Sequence, residues 1–426
     1  MFTPEYLDAA DEAGWLVCEE LPFGLVDPFR SQRYAPTPEF RALWRQTAEN
    51  IVASDRNHPS VILYSMASEL GEPWLRSRAS FRTFSRDLPA AVRRGNPAAL
   101  VTDCTGASDE TGGRRAVPVQ TRQGRRDTDI QASWLFWTGT FQPLLGPIPG
   151  LERTTLPYIL HEYAWITSLP DPAARERMRR SPLLPLQVPD MIRAARASGL
   201  ARQLGPMVAA SRRLKFALLK NALEVARRQA GVAGYHQWLI HDFPFCPEGV
   251  VNEFWQEIDG FPAAEIRRWN GDAVLLLEDG GRRSFASGAR PGLRVRVSHF
   301  GPEPLRHPVL HWHLAGSGGS VRSGQIPCGT LTRAMRLEGR LPATDRPRAV
   351  LLRCELRDGG RLVAANEWRI WGVPEAMPPP AGIVVKIWVA SSCSRTASPI
   401  VPVTVDTAPL NCGVLPSISK LVPPIF

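Results

Sequence analysis

"NHPSVILYSMASELGEPW", residues 57–74, decides how this chain is read. Asn57-His58-Pro59 stops the helix that precedes it, because proline lacks an N–H and pushes its preceding residue out of the helical region. Val61, Ile62, Leu63 and Tyr64 then make a continuous apolar run, the pattern of a short strand buried on both faces. Small residues follow, and the segment delivers a carboxylate, Glu69. A buried strand ending on an ionisable group is how barrel folds present their chemistry.

The same grammar recurs on either side. Phe40, Leu43, Trp44, Thr47 and Ile51 repeat at helical spacing up to the Asn-His-Pro stop. Before them, "AGWLVCEELP" (13–22) reads as a strand ending in Glu19-Glu20. Downstream, "PAALVTDCTG" (97–106) ends at Asp103, and "LPYILHEYA" (156–164) ends at Glu162. "GYHQWLIHDF" (234–243) carries Trp238 and Asp242. Strands alternating with helices, apolar in the middle and polar at the carboxyl end, predict an α/β domain, a (β/α) barrel or a doubly wound sheet. Residues 171–233 are rich in Arg and Ala, with Leu214, Ala217, Leu218 and Leu223 at helical spacing, and predict two or three outer helices.

Past residue 270 the period changes. "RVRVSHF" (294–300), "VLHWHLAG" (309–316), "TRAMRLEGRL" (332–341), "RAVLLRCELRDG" (348–359) and "NEWRIWGVP" (366–374) alternate between Gly and Pro punctuation. They predict an all-β, immunoglobulin-like sandwich. The expected domains are therefore 1–260, 270–374, and a linker with an unassigned tail at 375–426, the linker being "PEAMPPPAG".

With 44% hydrophobic and 22% charged residues the composition is that of a globular protein. The net charge of +10 rests on scattered arginines, only Lys215, Lys220, Lys386 and Lys420 being lysine. Without a clustered patch or a binding motif, no nucleic-acid partner is expected. Seven cysteines without a CxxC pair argue against a zinc site or a disulfide framework and predict reduced, mostly buried thiols. Residues 1–10 lack a basic, then apolar leader pattern, and Ile383–Ala390 is interrupted by Lys386. No membrane partner is expected, and localisation and oligomeric state stay unassigned.

Two glutamates at strand ends suit glycoside hydrolysis, where one carboxyl protonates the leaving oxygen and the other attacks the anomeric carbon. "RNHPSVILYSMASEL" (56–70) resembles the acid/base segment of glycoside hydrolase family 2, which includes β-galactosidases, β-glucuronidases and β-mannosidases. "LPYILHEYA" resembles that family's nucleophile strand, "PEYLDAADEAGWLVCEELP" (4–22) its helix and third strand, and "YHQWLIHDF" its eighth. The resemblance implies a (β/α)8 TIM barrel, with Glu69 as general acid/base and Glu162 as nucleophile of a retaining mechanism. It implies substrate contacts at Tyr163, Trp238 and Glu19 or Glu20, with His161 as a further pocket residue. The substrate would be a glycoside, oligosaccharide or polysaccharide. No cofactor or metal ligand set is expected, beyond the magnesium or sodium ion that some relatives bind.

Three departures accompany the resemblance. Ser68 stands where the family carries an asparagine that bonds the sugar's 2-hydroxyl. The chain opens in the equivalent of the helix after the second barrel strand, which implies a barrel incomplete at its N-terminus. Beyond about residue 383 the likeness is lost. A rival expectation, motivated by Ser68 and by the missing strands, is a non-catalytic descendant that binds carbohydrate or a partner.

Overall fold

The computed structural model describes residues 2–23, 37–67, 79–102, 131–134, 156–179, 181, 187–243, 246–278 and 282–374. Helix α1, Pro4–Ala13, starts where the Thr3 hydroxyl accepts the Tyr6 N–H and proline takes the first turn. It ends at Gly14, whose φ of 68° suits a residue without a Cβ. Helix α2, Pro38–Asp55, begins the same way, with Thr37 accepting the Phe40 N–H. It stops two residues before the Asn-His-Pro turn. The Asp11 carboxylate of α1 then grips that turn, meeting His58 Nδ1 at 2.8 Å and accepting the Ser60 N–H at 2.8 Å.

Strands β1 (Val17–Glu20), β2 (Val61–Ser65) and β3 (Leu100–Thr102) form a parallel sheet in that order. Tyr64 pairs with Glu19 on one side and Val101 on the other. Trp44, Ile51 and Val52 of α2 and Leu88 and Val92 of helix α3 (Ala79–Gly95) cover it, in one core cluster with Tyr64 and Val101. A second parallel sheet holds β4 (Gln131–Trp134), β5 (Tyr158–Tyr163) and β6 (Val232–Gln237), with β5 central. Strand β4 was not among the expected strands. Between β5 and β6 run three helices, α4 (Pro172–Met178), α5 (Gln187–Ala197) and α6 (Leu204–Arg228), as expected. The buried stripe of α6 is Phe216, Leu219, Leu223 and Ala226, packed with Tyr158 and Leu160 of β5. Leu214, expected in that stripe, points outward and is exposed.

Helix α7 (Ala263–Asn270) leads into the β-rich region. Its strands are β7 (Ala273–Leu277), β8 (Ser284–Ala286), β9 (Arg294–His299), β10 (Pro308–Leu314), β11 (Ser317–Arg322), β12 (Thr330–Leu331), β13 (Met335–Arg336), β14 (Arg348–Asp358) and β15 (Arg361–Val373). One sheet has the order β11-β10-β14-β15-β8; in the other, β9 pairs with β7, β12 and β13. The two share one core, in which Val295 and Val297 meet Leu310, Leu314, Leu352, Leu356 and Ile370. Strand β10 shows why: Leu310, Trp312 and Leu314 face in while His311 and His313 face out.

Strand β7, "AVLLL", is buried at all five positions. Ala273, Leu275 and Leu277 belong to the core between the two sheets. By alternation Val274 and Leu276 face the other way, and β7 also contacts α6 and α7. The junction is further fastened by Glu224 of α6, which is fully buried. Its carboxylate accepts hydrogen bonds from Lys220 on its own helix and from Asn366 Nδ2 (3.0 Å) and Trp368 Nε1 (3.0 Å) on β15.

Among the described residues no helix is long and apolar enough to cross a membrane. The described cysteines are free thiols, but only Cys354 is fully buried; Cys18 and Cys246 are half-buried and Cys328 is exposed, which corrects the expectation of mostly buried thiols.

The Glu224 node makes a direct prediction. Glu224→Ala strands a lysine ammonium and two buried N–H groups, and should lower unfolding free energy by about 3–5 kcal/mol in urea titration. A loss below about 1 kcal/mol would show that the node contributes little to holding the β-rich region on α6.

Candidate active site

Strand β5 is the centre of the site, and its last residues do not behave as a regular strand. Tyr158 and Leu160 turn toward α6, so a strict alternation would send His161 and Glu162 to opposite faces. Instead the pairing with β6 shifts between Leu160 and Tyr163, and Glu162 takes a φ of 47°. Such a break re-aims a side chain. His161 Nε2 and Glu162 Oε1 end 3.8 Å apart, both largely buried.

Opposite on β6 stands His236, whose Nδ1 lies 3.2 Å from Nδ1 of His161. One ring donates and the other accepts, since two bare nitrogens would repel. Burial, with a smaller effect of His236, pushes His161 down to about 3, and burial also lowers His236. Both rings are neutral near neutral pH. With His161 Nδ1 accepting from His236, its Nε2–H faces the Glu162 carboxylate. The reverse tautomer would aim a lone pair at a carboxylate and is disfavoured.

The Trp238 N–H donates to the Tyr163 carbonyl at 3.1 Å, and its ring lies 5.5 Å from that of Trp165, so two indoles stand beside the end of β5. The Trp238–Leu239 peptide is cis. Tyr163 has a different position from the expected substrate contact: it is buried, and its hydroxyl donates to the Ala222 carbonyl of α6 at 3.0 Å. Its role is to seat β5 on the helix layer. Glu19 shares the face of Val17, which packs on α1, and is wholly buried on the helix side. Burial pushes its carboxyl above the usual range. Glu20, one residue on, turns to the other face and is half-buried. Ser68, Glu69 and Asp103 lie outside the described residues.

Asp242 is locked rather than displayed. Its carboxylate sits 3.4 Å from Nζ of the buried Lys215 and accepts the Gly249 N–H at 2.6 Å. Lys215 also donates to the carbonyls of Pro247 (3.2 Å) and Gly249 (2.9 Å). The Pro247 carbonyl accepts in addition from the N–H and hydroxyl of Ser168, on the segment after β5. The connections leaving β5 and β6 are thereby tied together at the carboxyl end of the sheet. A Cβ at Gly249 would come within 2.3 Å of the Asp242 nitrogen, so only glycine allows this closeness.

For a metal ion the described residues offer one ligating group, Asp8, Asp11 and His58. It lies where chain enters β1 and β2, the end opposite to the strand carboxyl termini, and Asp11 and His58 are already engaged in holding the turn. Among the described residues, the ligating groups shown beside Glu162 are two histidines bonded to each other. These residues do not fit a magnesium or sodium ion, which take oxygen ligands.

The sequence pattern alone does not single out His236, Trp165 or Lys215 as site or anchor residues. His236 carried a faint signal, being two residues before Trp238 on a predicted strand, but its partner His161 appears only once β5 and β6 are in register. Lys215 had a clearer one: it is a lysine in a helix whose other long cations are mostly arginine.

Residues 2–167 match the family model described as "Glycosyl hydrolases family 2, TIM barrel domain", and residues 292–374 match one described as a domain of unknown function, DUF8488. A comparison with curated protein sequences found no match. Among solved structures, the chain is similar to the β-D-mannosidase of Dictyoglomus thermophilum, with TM-score 0.56 and 14% identity, over 88% of this chain and 45% of that one. It is also similar to the exo-chitosanase CsxA of Amycolatopsis orientalis, with TM-score 0.55 and 12% identity, over 87% of this chain and 44% of that one. The chain thus spans less than half the length of either structure. At these identities the likeness to solved structures concerns the fold alone, and the match of residues 2–167 to the family 2 TIM barrel domain supports a glycosyl hydrolase family 2-like protein.

Proposed function

We propose that this chain hydrolyses β-glycosidic bonds with retention, Glu162 acting as nucleophile and Glu69 as general acid and then general base. The observation that carries the reading is the re-aimed end of β5, where a left-handed backbone at Glu162 turns its carboxylate toward His161. A nucleophile must be ionised, and an N–H dipole facing it favours that state without adding a positive charge that would oppose the oxocarbenium-like transition state. Trp238 and Trp165 beside it supply apolar surface for a sugar ring. The β-mannosidase and exo-chitosanase similarities suggest which glycosides to try, and β-galactosides belong in the same panel. The immunoglobulin-like label for the β-rich region and a domain division near residues 260–270 are part of this reading.

A second reading, a glycan-binding protein without turnover, is favoured by Ser68. Serine is shorter than the asparagine expected there and gives up a direct bond to the 2-hydroxyl. Turnover of nitrophenyl β-mannoside, β-glucosaminide and β-galactoside separates the two readings: release of nitrophenol from none of them would overturn the hydrolase. In an active protein, Glu162→Gln should lower kcat by at least about 10³-fold, roughly 4 kcal/mol of transition-state stabilisation. Ser68→Asn should raise kcat by about tenfold, the worth of one regained hydrogen bond. An unchanged or lower kcat would mean that the pocket is built around serine.

His161 predicts a pH dependence of stability. Its ring binds a proton below about 6.5 in the unfolded chain but only near 3 in the fold. Between those values the unfolded state holds more protons, so stability falls as pH drops, by up to about 1.4 kcal/mol per unit for one proton. Chemical denaturation at pH 7 and pH 5 should show this loss in the wild type and a smaller one in His161→Gln. An equal loss in both would assign the acid sensitivity to other groups.

A further inference from the structure

The connection that follows β6 carries an aromatic residue that neither the family match nor the proposed chemistry uses. Trp255 is 63% exposed and holds a φ of 60°. A left-handed backbone is unfavourable for a bulky residue, and elsewhere in the same connection it falls to a glycine, Gly260 at φ 84°. The turn that imposes it is firmly built. The Asn252 side-chain carbonyl accepts the N–H groups of Phe254 and Gln256, and its backbone carbonyl accepts that of Trp255. Arg177 of α4 covers the Phe254 ring at 3.5 Å and donates to Gln256. A large apolar ring is therefore held outward by several hydrogen bonds rather than folded inward.

Its position is as informative as its exposure. Residues after β6 lie at the carboxyl end of the sheet, the end where Glu162 terminates β5. The Trp255 ring packs on His241, with centroids 4.6 Å apart. His241 follows Trp238 by three residues, which limits their Cα separation to about 11 Å. Because His241 Nδ1 lies 3.0 Å from the Asp242 carbonyl, that nitrogen carries the hydrogen and Nε2 is the ring's acceptor. An exposed indole bordered by one hydrogen-bond acceptor matches a pyranose ring, which offers a C–H face to the indole and hydroxyls around its edge.

We propose that Trp255 and His241 form a second sugar-binding platform, which takes a pyranose unit of a β-linked oligosaccharide beyond the unit held at Trp238. The proposal rests on the glycosidase reading for the position of the first unit. It makes the chain a protein that prefers oligosaccharides to single sugars.

The test uses the full chain carrying Glu162→Gln, so that ligands are not consumed, titrated calorimetrically with mannotriose, cellotriose and the glucosamine trimer, each beside its monosaccharide. At least one trisaccharide should bind about tenfold or more tighter than its monosaccharide, a difference of roughly 1.4 kcal/mol. Trp255→Gly in the same background should remove that advantage. Glycine accepts the left-handed backbone, so this variant should also keep or raise the Tm, whereas a merely structural tryptophan would lower it. Trp255→Phe keeps an aromatic face and should retain part of the advantage. Equal affinity for trisaccharide and monosaccharide, an advantage that survives Trp255→Gly, or no binding of any glycan would each overturn the platform. The hydrolase reading is judged separately, by the wild type on nitrophenyl glycosides. An inactive chain with Trp255-dependent oligosaccharide binding would keep the platform and discard the hydrolase. An active chain with length-independent binding would do the reverse.

Discussion

One 25-residue helix, α6, carries the buried charges to which the connection leaving β6 and the β-rich region are both fastened. Near its middle Lys215 reaches three acceptors in the connection that follows β6, and nine residues later Glu224 collects donors from β15. Ionic groups are costly inside a protein unless each is fully engaged, and here each meets several partners. The arrangement fixes position more than it adds stability. An apolar pair could slide, while these contacts admit one register of helix against sheet.

The chemistry proposed at Glu162 would depend on that fixity. A strand end that reverses its side-chain alternation needs support on both sides. Tyr163 supplies it below by bonding the Ala222 carbonyl of α6, and the Pro247 carbonyl supplies it above by gathering Ser168 and Lys215. His161, beside Glu162 on β5, and His236 on the adjacent strand β6 complete the setting. Among the described residues, the histidine facing the carboxylate is itself held by a neighbour, as a preorganised site would require.

What could be read directly from the sequence was local. The stop at Asn57-His58-Pro59 and the apolar runs of β2 and β5 each follow from a few adjacent residues. Strand β4, "QASW", has no apolar period, and it is a strand because it pairs with β5. The short strand β7 and the glycine-rich β11 were likewise not expected, since the first needs apolar neighbours on two faces and the second is defined by its partner β10. Of the site, the acidic strand end was legible at Glu162. Which of two adjacent glutamates turns inward in β1 was not, because that depends on which face of the strand α1 covers. The histidine pair and the Lys215 anchor join residues far apart in sequence, where no periodicity could link them.

Strand β7 also bears on how such a chain is inherited. Its two apolar faces serve different partners, and only Gly271 and Asp272 separate it from helix α7. One matched family region ends at residue 167 and the other begins at 292, leaving α4 to α7 and β6 to β8 between them. The material that joins the modules is therefore the part that neither module defines. Genetic exchange that moved the β-rich region as a unit would have to carry this intervening stretch with it, or leave an oily strand without one of its two covers. Such a seam would make the pairing of these modules slow to change over evolutionary time.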